Sequence, residues 1–242
     1  MVRHNLNGIE SQRLQETHHK CPAVPFERLD VNNSLLLIVD HQVGLFSLAR
    51  DFDPNLYFQN MVAHAAIGKL FDDLPVIMTT SVQNSSYGPL PDEILDMYPN
   101  ATIIKRNGEV DAWDNPDFRK AIKATGRKQV ILAGIVTDSP ETPQVRMLTT
   151  VLGTTFLALS LRAEGYSVWA NVEASGTTTT LLREVSNMRM QAAGVQLVGL
   201  FSIVADLFRD WRNPIGADRA VAWLNKYSPG YTVAGRAFIP SK

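Results

Sequence analysis

The chain has 242 residues, of which 45% are hydrophobic and 19% are charged, and its formal net charge is -1. This composition suits a globular protein with a sizeable core, and the near-zero charge gives no overall field toward nucleic acid or a membrane surface. One cysteine, Cys21, rules out an internal disulfide and CxxC metal sites. Apolar runs stay below the roughly 18 residues of a membrane span, and 1–20 lacks the apolar core of a secretory signal. We therefore expect a cytoplasmic protein without nucleic-acid or membrane partners.

Strand and helix signals alternate through a domain that we place at 26–242, behind a disordered tail of residues 1–25. The apolar run 35–39 predicts a buried first strand. Asp53-Pro54 and Asn115-Pro116 each place a capping side chain before a proline, which predicts that helices begin there. The predicted strands are 35–39, 75–80, 101–104, 130–136, 167–172 and 195–198, and the main predicted helices are 53–72, 115–124, 155–164, 178–193, 202–209 and 217–226.

The strands are apolar without alternation, which is typical of parallel strands that are covered on both faces. Joined by helices through right-handed crossovers, they predict a three-layer αβα fold with a six-stranded, doubly wound parallel sheet. Sites in such folds lie at the carboxyl ends of the strands. No GxGxxG or GxxxxGK[ST] loop follows any of these strands, so nucleotide binding has no support.

Polar side chains follow several of the predicted strands. Asp40 ends the first, Lys105-Arg106 follow the third, Thr137-Asp138 close the fourth, and Ser175 follows the fifth. Each has a plain alternative, namely a turn-capping aspartate, a solvated basic pair, a helix cap and a tight turn. Their common place at one edge of the sheet favours a shared site.

Five segments carry a family resemblance. The chain resembles the isochorismatase-like cysteine hydrolases, most closely their YcaC-like branch, over roughly 30–215. The resemblance implies a homo-oligomer, a small amide-like or related carbonyl substrate, no cofactor, and an Asp, Lys-or-Arg, Cys triad whose thiol attacks the carbonyl carbon. The matching segments are 35–51, 76–81, 88–94, 105–138 and 154–177.

The resemblance also implies roles for individual residues. It makes Asp40 the general base and Arg106 the cation of the triad. Val136 and Thr137 match a pair that the family commonly joins by a cis peptide, and with Asp138 they border the backbone donors for an oxyanion. We expect no metal, because Ser81-Val82-Gln83-Asn84 stands where some members carry Asp-x-His. Candidate substrate contacts are Gln42, Phe46, Trp113, Trp169 and Ser175. The alternative for the aromatic residues is a place in the core, which is more common for aromatics at strand ends.

The cysteine of the triad is missing. The family pattern Gly-Ile-Val-Thr-Asp/Glu-Val-Cys stops here at Asp138, and residues 139–153 intervene before the pattern resumes at Thr154. Pro140 and Pro143 prevent these residues from simply extending the following helix. Cys21 lies far away in the predicted tail, and Ser139 is a weak substitute, because a hydroxyl needs a stronger base than a lone aspartate.

Two origins fit the 139–153 insert: a genuine insertion, or a retained intron or misplaced exon boundary in the sequence. We expect the insert to be a poorly packed surface excursion. We expect this chain to have little or no hydrolase activity. The alternative function is that of a non-catalytic ligand-binding or oligomeric scaffold protein. Apolar residues between Trp211 and Tyr231 point in addition to an exposed contact surface between copies.

Overall fold

The computed structural model describes residues 26–135, 153–210, 212, 216–230 and 233. Three predicted features lie outside the described residues: the tail 1–25, the residues Val136, Thr137 and Asp138, and residues 139–152 of the insert. The last residue of the insert, Gly153, is described; it is buried and begins a helix.

Six parallel strands form one sheet in the order β3-β2-β1-β4-β5-β6. This confirms the predicted doubly wound α/β fold. The order reverses between β1 and β4, whose residues pair from Ser34 with Gln129 to Val39 with Gly134. The carboxyl ends at such a reversal form the crevice in which open α/β sheets bind ligands. The strands are β1 Ser34–Val39, β2 Val76–Ser81, β3 Ile103–Arg106, β4 Gln129–Gly134, β5 Ser167–Asn171 and β6 Gln196–Val198.

Helices cover both faces of the sheet. The two predicted proline-led caps are present, since Asp53 accepts from the amides of Asn55 and Leu56, and Asn115 accepts from those of Asp117 and Phe118. The helices are α1 Pro54–Leu70, α2 Asp92–Leu95, α3 Pro116–Ala124, α4 Gly153–Ala163, α5 Thr180–Ala192, α6 Leu200–Phe208 and α7 Ala217–Tyr227.

The central strands are buried on both sides. In β1, Leu35, Leu37 and Val39 face the core under α3, α4 and α5, whereas Leu36 and Ile38 face the cores under α1, α2, α6 and α7. Every residue of β1 and β4 is buried. The two covered faces explain why these strands read as continuous apolar runs.

Two expectations about local structure need correction. The third strand begins at Ile103 and ends at Arg106, so Lys105 and Arg106 belong to the strand and do not follow it. The apolar residues of α7 also pack inward: Trp223 and Leu224 lie in the core, and the Trp223 indole donates to the carbonyl of Ala66 at 2.9 Å. The described part of the 211–231 stretch therefore mostly serves the fold of its own chain.

Candidate active site

Asp40 leaves the sheet at the end of β1 with an unusual backbone. Its φ is 54°, a left-handed conformation that aspartate tolerates better than most residues. Its amide donates to the carbonyl of Thr79 at 3.0 Å, which fixes it against the end of β2. The residue is fully buried. A carboxylate in such a place is stable only with a partner.

Arg106 is that partner. Its guanidinium is buried, and Nη2 donates to Oδ2 of Asp40. Nε donates to Oγ1 of Thr79 at 3.1 Å, and Nη1 donates to the carbonyl of Glu109. Three different acceptors therefore hold one planar cation, which fixes its orientation toward the carboxylate.

The two groups act in opposite directions on the Asp40 carboxyl. Burial raises the pKa of Asp40, because the charged form loses its hydration, and the nearby Arg106 guanidinium offsets part of that shift. A carboxylate with raised proton affinity is a better general base than an exposed aspartate. Its Oδ1 atom is buried and has no hydrogen-bond partner among the described residues.

The loop after β3 supports Arg106. The Glu109 carboxylate accepts from the Asn107 amide at 2.8 Å and from the Asn115 side chain at 2.9 Å, so the carbonyl of Glu109 is held in place. Asp111 accepts from Ser160 of α4 at 2.6 Å. These bonds connect the cation of the site to α4.

Gln42 clamps the neighbouring loop. Its side-chain amide donates to the carbonyls of Ser81 and Gly88 at 3.0 and 2.6 Å, and its Oε1 accepts from the Ser81 amide at 2.8 Å. Both amide hydrogens are thus engaged within the protein. The side chain orders the segment after β2. Toward a ligand it can only accept a hydrogen bond, through its Oε1 atom.

The end of β4 and the start of α4 approach closely. A Cβ on Gly134 would lie 2.6 Å from the carbonyl oxygen of Val39 and 2.7 Å from Oγ1 of Thr154, so only glycine fits. Thr154 is 3% exposed. The first turn of α4 therefore stands at the same reversal of strand order from which Asp40 emerges.

Two buried histidines, His41 and His64, pack edge to face with ring centroids 6.3 Å apart. His41 Nε2 bonds the carbonyl of Ala174 at 2.9 Å, and His64 Nε2 bonds the carbonyl of Leu37 at 3.0 Å, while Asn171 contacts Nδ1 of His64 at 3.2 Å. Burial lowers the pKa of His41 to about 3 and that of His64 to about 4. Both rings are neutral at physiological pH, and each donates its Nε2 hydrogen to a carbonyl.

The remaining predicted contacts are scattered. Phe46 stacks on Tyr57 with ring centroids 5.8 Å apart and lines, with Gln42, a cavity of about 540 Å³. Ser175 donates to the carbonyl of Asn171 at 2.8 Å. Trp113 and Trp169 belong to cores on opposite faces of the sheet. Their bulk and lack of charge make core burial the ordinary outcome for such residues.

Sequence reasoning missed Thr79, His41 and Thr154. Thr79 carried a signal, because a hydroxyl residue interrupts the apolar second strand. Within the described ranges, no group of three or more His, Cys, Asp or Glu residues could hold a metal ion. In the same part of the chain, no helix has the length and apolar character needed to cross a membrane.

Several known proteins are similar to this chain. The probable hydrolase YcaC of Escherichia coli is 41% identical over 191 residues, which are 79% of this chain and 85% of that protein. YcaC from Pseudomonas aeruginosa, solved with hexane-2,5-diol and covalent acrylamide, is 41% identical with a TM-score of 0.78 over 89% of this chain and 99% of its own.

The crystal structure of E. coli YcaC, an octameric hydrolase of unknown specificity, has a TM-score of 0.78 at 38% identity over 89% of this chain and 98% of that one. An isochorismatase family protein from Burkholderia thailandensis shares the fold, with a TM-score of 0.59 at 14% identity over 76% and 99% of the two chains. No family model matches the chain. The identity and coverage of the YcaC proteins show that the chain belongs to the YcaC-like branch of the isochorismatase-like hydrolases.

Proposed function

We propose that this chain binds a small amide-like carbonyl compound at the carboxyl end of β1, and that it has lost the covalent step of a cysteine hydrolase. The observation that carries the proposal is the buried Asp40–Arg106 pair beside the start of α4. This pair supplies a base and a cation, which are two of the three groups that the family resemblance requires. The alternative origin of the insert, a retained intron, would leave a spliced form with the third group.

Gly153 occupies the place of the missing nucleophile. The family pattern sets its cysteine directly before the helix that resumes here at Thr154, and the residue before Thr154 is Gly153. Gly153 begins α4 and is buried. A thiol at a helix N-terminus is stabilised as the thiolate, and backbone amides there can hold an oxyanion. Glycine offers no nucleophile, so Asp40 has no thiol proton to accept.

Restoring the thiol tests the proposal. In a chain that carries Cys21→Ser, Gly153→Cys introduces one sulfur at the head of α4. Acrylamide is the probe: the thiolate sulfur adds to its β-carbon, the α-carbon takes up a proton, and no group leaves. We expect an adduct at position 153 by mass spectrometry and a thiol pKa below the usual value of about 8.5.

Matched variants complete this test. Adding Asp40→Asn should slow alkylation near neutral pH, because the base is removed while the size of the side chain is kept. The unmodified chain should show no amide hydrolysis, and replacing Ser139–Gly153 by Val-Cys should give a reactive thiol in the same place. Alkylation of the Gly153→Cys variant at the rate of a small free thiol, unaffected by Asp40→Asn, would contradict the proposal. So would amide turnover by the unmodified chain.

We infer in addition that the chain forms a homo-oligomer through α5. Leu181, Val185 and Met188 are 65%, 49% and 61% exposed and share one face of that helix. E. coli YcaC is an octamer, which supports a second copy as the partner of this face. A contiguous apolar face of this kind is a usual mark of a protein contact.

A further inference from the structure

A buried hydroxyl without a partner stands at the start of α4. Oγ1 of Thr154 forms no hydrogen bond within the described part of the chain, and the residue is only 3% exposed. Hydroxyl groups that are removed from water are nearly always paired, because an unpaired one destabilises the fold. The position of Thr154 therefore needs an explanation other than packing.

A second unpaired atom lies at the same reversal of the sheet. Val39 and Gly134 are register partners on β1 and β4, and Oγ1 of Thr154 lies 2.7 Å from the Cβ position of Gly134. The next residue after Val39 is Asp40, whose Oδ1 is buried and unpaired within the same described set. Arg106 occupies only the other oxygen of that carboxylate.

We propose that the Thr154 hydroxyl is a ligand-binding group, which acts together with Oδ1 of Asp40. The inference rests on the proposed function, and it adds a residue that the family pattern does not assign. An ionised carboxylate only accepts hydrogen bonds, so Asp40 requires an N–H or O–H on the ligand. A hydroxyl can donate, so Thr154 can bind a carbonyl oxygen on the adjacent atom.

The chemistry of the two groups selects among small ligands. A neutral primary carboxamide presents a donor and an acceptor on neighbouring atoms and can satisfy both. A ketone offers only an acceptor, and a carboxylate offers no donor to Asp40. Propionamide, butan-2-one and propionate have similar sizes and represent the three cases.

The test measures both the thermal stability and the ligand affinity of variants of the full-length chain. Thr154→Val keeps the shape of the side chain but removes the hydroxyl, and Thr154→Ser keeps the hydroxyl. Because the hydroxyl has no partner among the described residues of the free protein, we expect Thr154→Val to raise the Tm. The same variant should bind propionamide about fivefold more weakly by NMR titration, the loss of roughly one hydrogen bond. Thr154→Ser should bind within about twofold of the unmodified chain, a difference well below the loss of a hydrogen bond.

Thr155→Val is the matched control. It makes the same change one residue later in the same turn, at a hydroxyl that is not among the unpaired buried atoms, so it should not reproduce the combined effect. A lower Tm for Thr154→Val, or unchanged propionamide affinity, overturns the inference. Equal binding of butan-2-one and propionamide, or no binding of propionamide to the unmodified chain, also overturns it. Unchanged propionamide affinity in Thr154→Val contradicts this inference alone, whereas a thiol at position 153 without raised reactivity contradicts the proposed function alone. No binding of propionamide to the unmodified chain contradicts both.

Discussion

Arg106 reaches Asp40 across an intervening strand. Asp40 follows β1 and Arg106 ends β3, and β2 lies between them in the sheet. The guanidinium spans that gap by donating Nε to Thr79 of β2 and Nη2 to Asp40. The ion pair therefore joins three strands at the edge where the candidate site is built.

Removing the cation should be costly. Arg106→Leu leaves the Asp40 carboxylate buried without a counter-charge, and we expect the free energy of unfolding to fall by about 3–5 kcal/mol in urea titrations. Adding Asp40→Asn to the same chain should recover part of the loss, because the second change removes the stranded charge. If the losses in unfolding free energy of the two single variants simply add up in the double variant, the two residues are not coupled.

The buried histidines should make the protein sensitive to acid. The ring of His64 has an ordinary pKa near 6.5 when unfolded and about 4 when folded, and His41 falls to about 3. At pH values between the folded and unfolded pKa of each ring, the unfolded chain binds more protons than the folded one. Stability is therefore full above pH 6.5 and is lost as the pH falls toward 4, by up to about 1.4 kcal/mol per pH unit for each ring.

His64→Gln isolates this contribution. The glutamine amide can still donate to the carbonyl of Leu37, but it does not titrate in this range. Burial raises the pKa of carboxyls such as Asp40, and these groups change the stability with pH in the opposite direction. The informative quantity is therefore the difference in pH dependence between the variant and the unmodified chain. Chemical denaturation at pH 7, 6, 5 and 4 should show a smaller decline for the variant. Parallel declines would mean that His64 gains a proton in the folded state.

Much of the fold could be predicted from sequence because the signals were local. Continuous apolar runs located the strands, and the Asp53 and Asn115 caps located two helix starts. The third strand was placed two residues early, because Lys105 and Arg106 look like the solvated end of a strand. Burial of Arg106 depends on a carboxylate 66 residues away, which no local pattern contains.

The site was predicted less completely. Asp40 and Arg106 were predicted for the candidate site from their places near strand ends and from the family resemblance. His41 and Thr154 had no such signal, since a lone histidine or threonine has many ordinary roles. Their contacts are made with residues far away in the sequence: the carbonyl of Ala174 for His41, and the glycine at the end of β4 for Thr154.

A close backbone approach should make Gly44 hard to replace. A Cβ at Gly44 would lie 1.9 Å from the carbonyl oxygen of Ser86, and its amide donates to the carbonyl of Tyr87 at 2.8 Å. Gly44→Ala must therefore separate the loop after β1 from the loop after β2, at a cost on the order of 1–3 kcal/mol in the free energy of unfolding. Gly230→Ala, where nothing lies within 4 Å of the added carbon, should change stability by less than about 0.5 kcal/mol. Equal effects of the two substitutions would contradict the importance of this contact.

Charges on the exposed face of α5 should prevent the proposed homo-oligomer from forming. Leu181 and Met188 are seven residues apart with Val185 between them, so they project from the same side of the helix. Two glutamates there would have to be desolvated in any contact between copies, whereas they are well hydrated on a monomer. We expect Leu181→Glu/Met188→Glu to lower the molar mass by light scattering at micromolar concentration, with circular dichroism unchanged. Val221→Glu on α7, which is 36% exposed, should leave the molar mass as it is. An unmodified chain that is already monomeric would remove the oligomer prediction, whereas an unchanged oligomer in the double variant would show that another face joins the copies.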